Sequence, residues 1–198
     1  MFFIYCKFGR IELSIQYKDI LYENKTVIGF IGAGNMAYAL IKGLLSDGFE
    51  AKNINVSDAN LELLEKRSSE LGVTTYSDNV SLLTNSDIVV FAVKPQVLSV
   101  VCHELKNKAS SDQLFVSIVA GIKSKDINRW LGGDFALVRT MPNTPALFQS
   151  GVTGLFANEL VNDTQKESVN LLLSAVGECF WVNEENLLDA ITAISGSG

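Results

Sequence analysis

The apolar positions of this chain alternate between short continuous runs and longer segments of helical period, and that alternation organises the rest of the reading. Residues 27–31 (VIGFI) form an apolar run punctuated by Gly29. The turn Gly32-Ala33-Gly34-Asn35-Met36-Ala37 follows. Behind it, Met36, Ala37, Leu40, Ile41, Leu44 and Leu45 recur with the spacing of one helix face. Asp47-Gly48 supplies the stop, because glycine takes the left-handed position after a helix without a Cβ penalty. Strand, glycine turn and helix are therefore predicted in immediate succession.

The alternation continues along the chain. Strands are predicted at 53–57, 73–76, 88–93, 114–119 and 136–141. Helices are predicted at 61–71, with Leu61, Leu64 and Leu71 on one face and Gly72 ending it, at 80–83 behind an Asp78-Asn79 cap, at 96–107 with Pro95 at its start, and at 124–131. The run 88–93 (IVVFAV) is apolar throughout, as befits a strand buried on both faces. Beyond it, 152–156 reads as an added strand. Asp163 or Thr164 caps a helix to 176 that Gly177 ends, 179–182 is a last strand, and 184–194 is a helix carrying Leu187, Leu188, Ile191 and Ile194. Strands and helices alternating with short loops predict an α/β fold: a doubly wound Rossmann-type sheet, mostly parallel with added C-terminal strands. Residues 1–25 precede this pattern. Ile11, Leu13, Ile15 and Tyr17 alternate as in an edge strand or a loosely packed arm, and the segment suggests no function.

In a doubly wound sheet, ligands bind outside the carboxyl ends of the strands. That edge should gather residues 32–37, 57–60, 92–96, 119–121 and 140–145. The first of these reads G-x-G-x-x-A. Gly32 lets the chain reverse, Gly34 leaves room for a pyrophosphate to approach the backbone, and Ala37 is the small residue where helix and sheet pack closely. The helix N-terminus then offers unpaired N–H groups and a positive dipole end. At the end of the second strand, Ser57 and Asp58 give a mixed message. An acidic residue there favours a free ribose 2′-hydroxyl, a small hydroxyl residue tolerates a 2′-phosphate, and both could instead be helix caps. Pro142 and Pro145 bracket Asn143-Thr144 in a rigid polar loop suited to a binding wall or to an ordinary turn.

Composition narrows the classes. The chain has 198 residues, 47% of them hydrophobic and 19% charged, which suits one substantial folded domain with at most a short extension. The net charge of −6, without a run of Lys or Arg, argues against a nucleic-acid or anionic-membrane partner. No apolar run approaches the ~18 residues of a membrane span. Residues 1–5 are apolar, but Lys7 and Arg10 follow rather than precede them, a poor signal peptide. Cys6, Cys102 and Cys179 are far apart and read as free thiols of a reducing, cytoplasmic compartment. The single histidine, His103, reads as a helix-surface residue, and no metal is expected.

Four motifs then act together: IGFIGAGNMA at 28–37, AVKPQ at 92–96, VRTMPNTPALFQSG at 138–151 and AITAISGSG at 190–198. In this order they resemble the pyrroline-5-carboxylate reductase family over residues 26–198. The resemblance implies NAD(P)H-dependent reduction of the C=N bond of 1-pyrroline-5-carboxylate to L-proline, the last step of proline synthesis, with NADP(H) favoured and NAD(H) possible. It implies that Gly32, Ala33, Gly34, Asn35, Met36 and Ala37 contact the pyrophosphate, that Ser57 lies near the adenosine ribose, that Asn79 is a further cofactor contact, and that Ala92, Val93, Lys94 and Pro95 line the nicotinamide side, with Val119, Ala120 and Gly121 flanking the pocket. Asn143, Ser195 and Ser197 become substrate-side candidates; the two serines could equally open a further helix, and Lys94 could be a solvated residue at a helix start. No catalytic side chain is assigned, since hydride transfer to an imine chiefly needs positioning. The expected organisation is an arm at 1–25, a dinucleotide-binding domain at 26–189, and a hinge at 190–198 leading toward a helical dimerisation domain absent from the chain, so that a homo-oligomer is expected of the full-length family. A related β-hydroxyacid or imine reductase, or a truncated non-catalytic NADP-binding module, is the alternative.

Overall fold

A computed structural model of the chain describes residues 26–195. The arm at 1–25, with Cys6, and the substrate-side candidate Ser197 lie outside the described residues. The elements follow the predicted alternation: β1 (Ile28–Ile31), α1 (Asn35–Ser46), β2 (Ile54–Ser57), α2 (Leu61–Leu71), β3 (Thr74–Tyr76), α3 (Asn79–Thr84), β4 (Ile88–Phe91), α4 (Pro95–Leu105), β5 (Leu114–Ser117), α5 (Ser124–Leu131), β6 (Ala136–Pro142), β7 (Gly151–Ala157), α6 (Asp163–Ser174), β8 (Gly177–Trp181) and α7 (Asn186–Ser195).

The eight strands form one sheet in the order β3-β2-β1-β4-β5-β6-β7-β8. All neighbours from β3 to β6 are parallel, β7 is antiparallel to β6, and β8 is parallel to β7. The reversal at β7 follows from chain length. The connection from Pro142 to Gly151 is shorter than the crossover of about a dozen residues that parallel neighbours need. It carries a 3-10 turn, Thr144–Phe148, with Pro145 in its first turn.

Every residue of β1, β2, β4 and β5 is buried, so each strand faces a core on both sides. Ile28, Phe30, Ile54, Val56 and Val90 pack with Leu40, Leu44, Leu172 and Leu173 from α1 and α6. Ile31, Val89, Phe91 and Phe115 pack with Leu82, Leu98, Cys102 and Ile127 from α3, α4 and α5 on the opposite face. Two buried layers on one parallel sheet are what near-continuous apolar strands require.

Local differences from the sequence expectation have local reasons. β4 and β5 end two residues early, because the ladder closes at Ile31, Phe91 and Ser117 and the chain then turns toward the next helix. Neither Ser57 nor Asp58 caps α2; the Asn60 side chain accepts the Leu63 N–H at 3.1 Å, and Gly72 (φ 69°) closes the helix. Leu61, on the first turn, is exposed while Leu64 is buried. α6 is capped one residue earlier than expected, by Asn162, in a reciprocal capping box with Gln165. β8 begins at Gly177 because that residue pairs with Gly151 of β7. In the last helix Leu187 is exposed and Leu188 buried. His103 lies exposed on α4, with Nδ1 2.6 Å from the Ser99 carbonyl oxygen. Cys102 is buried and Cys179 half-buried. Among the described residues no helix is long and apolar enough to cross a membrane.

Candidate functional site

Register brings the expected segments to one level. Ile31 pairs with Ser57 and Phe91, Phe91 with Ser117, and Ser117 with Arg139. The chain therefore leaves the sheet together at Gly32, Asp58, Ala92 and Ile118, while β6 runs on to Pro142 against β7. Backbone bonds tie these exits to one another. The Gly32 N–H donates to the Ser57 carbonyl (2.7 Å), Ala92 to Ile31 (2.8 Å) and Ile118 to Phe91 (3.2 Å). Gly32–Ala37, Ser57, Asn79, Ala92–Pro95 and Val119–Gly121 consequently share the carboxyl edge.

The two glycines of the first turn differ in kind. Gly32 has φ +108°, and a Cβ there would stand 2.5 Å from the Ala92 carbonyl oxygen and 3.1 Å from the Val93 nitrogen. The protein itself demands glycine at that position. Gly34 has an ordinary φ of −67°, and a Cβ there would meet nothing within 4 Å. Its bareness serves no packing need of the described residues and leaves an open space above the backbone. Ala37 is buried, as the close helix–sheet contact requires.

The start of α1 faces this space. Its N-cap, Gly34, provides no side-chain acceptor, and its first turn has no acidic residue. The N–H groups of Asn35, Met36 and Ala37 precede any carbonyl four residues back within the helix. α4 also begins without a side-chain cap or an acidic first turn, at Lys94-Pro95, with Lys94 exposed. Two uncapped positive helix ends thus point to the same edge.

Around the turn, several side chains are committed to the protein. The Asp58 carboxylate accepts the Ala33 N–H through Oδ2 (2.8 Å) and the Asn60 N–H through Oδ1 (2.9 Å). Arg67 Nε donates to the Ala33 carbonyl (3.1 Å). The Ser57 hydroxyl is buried and donates to Asn79 Oδ1 (2.8 Å), and Asn79 Nδ2 donates to Glu104 Oε2 (2.8 Å). Ser57, expected near the adenosine ribose, and Asn79, expected as a cofactor contact, are therefore brought together and joined to each other.

On the other side of the edge, Asn143 Oδ1 accepts the Val152 N–H (2.9 Å) and holds the β6–β7 connection. Ser195 is the last residue of α7; the 189/190 division expected from the sequence falls inside that continuous helix. Sequence reasoning missed what seats α7. The buried Arg139 donates through Nη1 to Glu185 Oε1 (3.1 Å) and through Nη2 to Asp189 Oδ1 (3.2 Å). Glu185 Oε1 also accepts the Ser124 N–H (2.6 Å), capping α5, whose own N-cap residue Lys123 makes no side-chain capping bond and instead donates through Nζ to Asn186 Oδ1 (3.2 Å). The available signal was an arginine inside the apolar strand ALVRTM and two carboxylates four residues apart, Glu185 just before the last helix and Asp189 in its first turn.

An open groove of about 1090 Å³ lies elsewhere, lined by Ser124, Lys125, Asn128, Arg129 and Trp181 among others, and contains none of the expected site residues. Among the described residues no group of three or more His, Cys, Asp or Glu is arranged to hold a metal ion.

Comparison with known proteins adds an independent line. Residues 27–121 match the family described as NADP oxidoreductase coenzyme F420-dependent. The chain is 44% identical over 171 residues to the pyrroline-5-carboxylate reductase of Pseudomonas aeruginosa, covering 86% of this chain and 63% of that protein. It superposes on the solved pyrroline-5-carboxylate reductase of Coxiella burnetii with a TM-score of 0.85 and 40% identity, covering 88% of this chain and 65% of the other. The Plasmodium falciparum pyrroline carboxylate reductase, solved with NADP bound, gives 0.76 and 29% over 87% and 63% of the two chains. This chain thus spans a little under two thirds of these relatives. Over most of its own length it is related, in both sequence and fold, to the pyrroline-5-carboxylate reductase family.

Proposed function

We propose that this chain carries the dinucleotide-binding part of a pyrroline-5-carboxylate reductase, transferring hydride from NAD(P)H to the C=N bond of 1-pyrroline-5-carboxylate to give L-proline. The observation that carries this reading is the likeness to the Coxiella burnetii reductase, at 40% identity and a TM-score of 0.85. Residues 26–189 form the dinucleotide-binding domain. The open space above Gly34 and the free first-turn N–H groups of α1 fit a diphosphate, which a Cβ at Gly34 would obstruct. In this reading Gly32, Ala33, Gly34, Asn35, Met36 and Ala37 hold the diphosphate, with the N–H groups of Asn35–Ala37 as donors. Ser57 and Asn79 border the adenosine side; Ala92, Val93, Lys94 and Pro95 border the nicotinamide side; and Val119, Ala120 and Gly121 close the pocket.

The bound nicotinamide supplies the hydride. The chain's part is to orient and to exclude water, with Ala92–Pro95 and Val119–Gly121 forming the wall of the pocket. The imine of the substrate takes a proton from solvent and becomes a good acceptor without a protein acid, so the reaction rests on approach geometry. Asn143, Ser195 and Ser197 are the substrate-side residues in this reading. NADP(H) is favoured over NAD(H): the Plasmodium relative was solved with NADP, and Asp58 is turned into the turn rather than toward a ribose. A cytoplasmic location and a homo-oligomer complete the proposal, on the family resemblance.

The experiment is steady-state oxidation of NADPH at 340 nm with pyrroline-5-carboxylate, beside a fluorescence titration of NADPH. Substrate-dependent oxidation with proline as product is expected. Binding without turnover would reduce the reading to a dinucleotide-binding module, and absence of both would remove it.

A further inference from the structure

Resting on the dinucleotide reading above, we propose that Asp58 and Arg67 are positioning residues that clamp the phosphate-binding turn through the peptide groups of Ala33, and that Asp58 does not discriminate the ribose 2′-position. An acidic residue directly after the second strand is ordinarily read as the partner of a free 2′-hydroxyl. Here its carboxylate is spent on the protein. Oδ2 accepts the Ala33 N–H at 2.8 Å, and Oδ1 accepts the Asn60 N–H at 2.9 Å. Asn60 is itself the N-cap of α2. One carboxylate therefore couples the glycine turn to the start of the following helix, and swinging it toward a ribose would break both bonds.

Arg67 holds the other end of the same residue. Its Nε donates to the Ala33 carbonyl at 3.1 Å. The side chain is 9% exposed, and its charge is met by Glu70 at 3.1 Å and by the face of Tyr38, 4.2 Å from guanidinium carbon to ring centroid. Tyr38 lies on α1, so α1, α2 and the turn meet at one buried cation. Ala33 is thus fixed through both its N–H and its C=O. The Gly32 N–H is bonded to Ser57. The turn's remaining donors, on Gly34, Asn35, Met36 and Ala37, are left free and held in place, which is preorganisation for an anion. Hydrogen bonds with one charged partner are the stronger kind, and both clamp bonds are of that kind.

The test uses the full chain with Asp58→Ala, Asp58→Asn and Arg67→Lys. Dissociation constants for NADPH and NADH are read by fluorescence at one salt concentration, thermal unfolding establishes that each variant is folded, and amide exchange is followed at Ala33. Asp58→Ala should weaken both dinucleotides together by about tenfold, equal to about 1.4 kcal/mol, with their ratio moving less than about twofold. Asp58→Asn keeps one carbonyl acceptor, so it should recover part of the loss and stands in if the alanine variant does not fold. Arg67→Lys keeps charge but loses the Nε bond, and should also weaken both. Exchange at Ala33 should accelerate in the Asp58 variants. Tighter NADPH with weaker NADH on losing the carboxylate would overturn the proposal and make Asp58 a ribose reader; unchanged affinity for both would overturn it as well. If wild type binds neither dinucleotide, the site reading fails by itself, and exchange at Ala33 still decides whether the clamp exists.

Discussion

Exchanging the two glycines of the first turn should have opposite consequences. Gly34→Val places a side chain at a φ of −67° where nothing lies within 4 Å of its Cβ. Valine is a poorer N-cap than glycine but loses less backbone entropy on folding, so the net stability change should stay within about 1 kcal/mol. For a chain of this size that is a shift in Tm of at most about 2–4 °C. The same side chain would occupy the space above the first-turn N–H groups. Loss of two hydrogen bonds to a charged phosphate, at about 1.5–3 kcal/mol each, removes about 3–6 kcal/mol, a hundredfold or more in Kd. Gly32→Ala does the reverse. At φ +108°, with the Ala92 carbonyl oxygen 2.5 Å from the added carbon, backbone strain of about 1–3 kcal/mol adds to overpacking of about 1–3 kcal/mol. Tm should fall by roughly 5–20 °C. Thermal unfolding and NADPH fluorescence titration on the same preparations read both quantities. An NADPH affinity for Gly34→Val within threefold of wild type, or a wild-type Tm for Gly32→Ala, would refute the division of labour between the two positions.

Two further changes probe the scaffold. Arg139→Met leaves Glu185 and Asp189 facing each other without the buried cation. Breaking a buried pair costs about 3–5 kcal/mol, and since Asp189 is half exposed a loss of about 2–4 kcal/mol is expected, measured by urea unfolding; an unchanged midpoint would mean that the last helix does not depend on this contact. Burial pushes the Cys102 thiol from 9.0 up to about 12. Because the folded value lies above the unfolded one, its contribution to stability is whole below pH 9 and is lost as pH rises from 9 toward 12. Cys102→Ala should therefore flatten the alkaline decline in the urea midpoint relative to wild type, and parallel pH profiles for the two proteins would contradict this.

The fold was legible where one physical signal governed an element. Apolar runs such as IVVFAV and punctuation such as Gly48 and Gly72 depend on the local chain alone, and β4, α1 and α2 fall within two residues of their expected bounds. The gathering of 32–37, 57–60 and 92–96 at one edge was legible because parallel connection dictates it. What was not legible depends on contacts between distant residues. Asp58 is 25 positions from Ala33, and nothing in the string NVSDAN distinguishes a carboxylate bonded to a distant turn from one that caps a helix or meets a ribose. Arg139 and Glu185 lie 46 positions apart. The direction of β7 was in fact readable from the short Pro142–Gly151 connection, which excludes a crossover.

The most direct measurement of the central claim is a crystal structure of the chain soaked with NADP(H). Diphosphate density is expected against the N–H groups of Asn35, Met36 and Ala37, above Gly34, with the nicotinamide beside Ala92–Pro95. Density in the groove by Arg129 and Trp181, or none at the carboxyl edge at saturating dinucleotide, would contradict it.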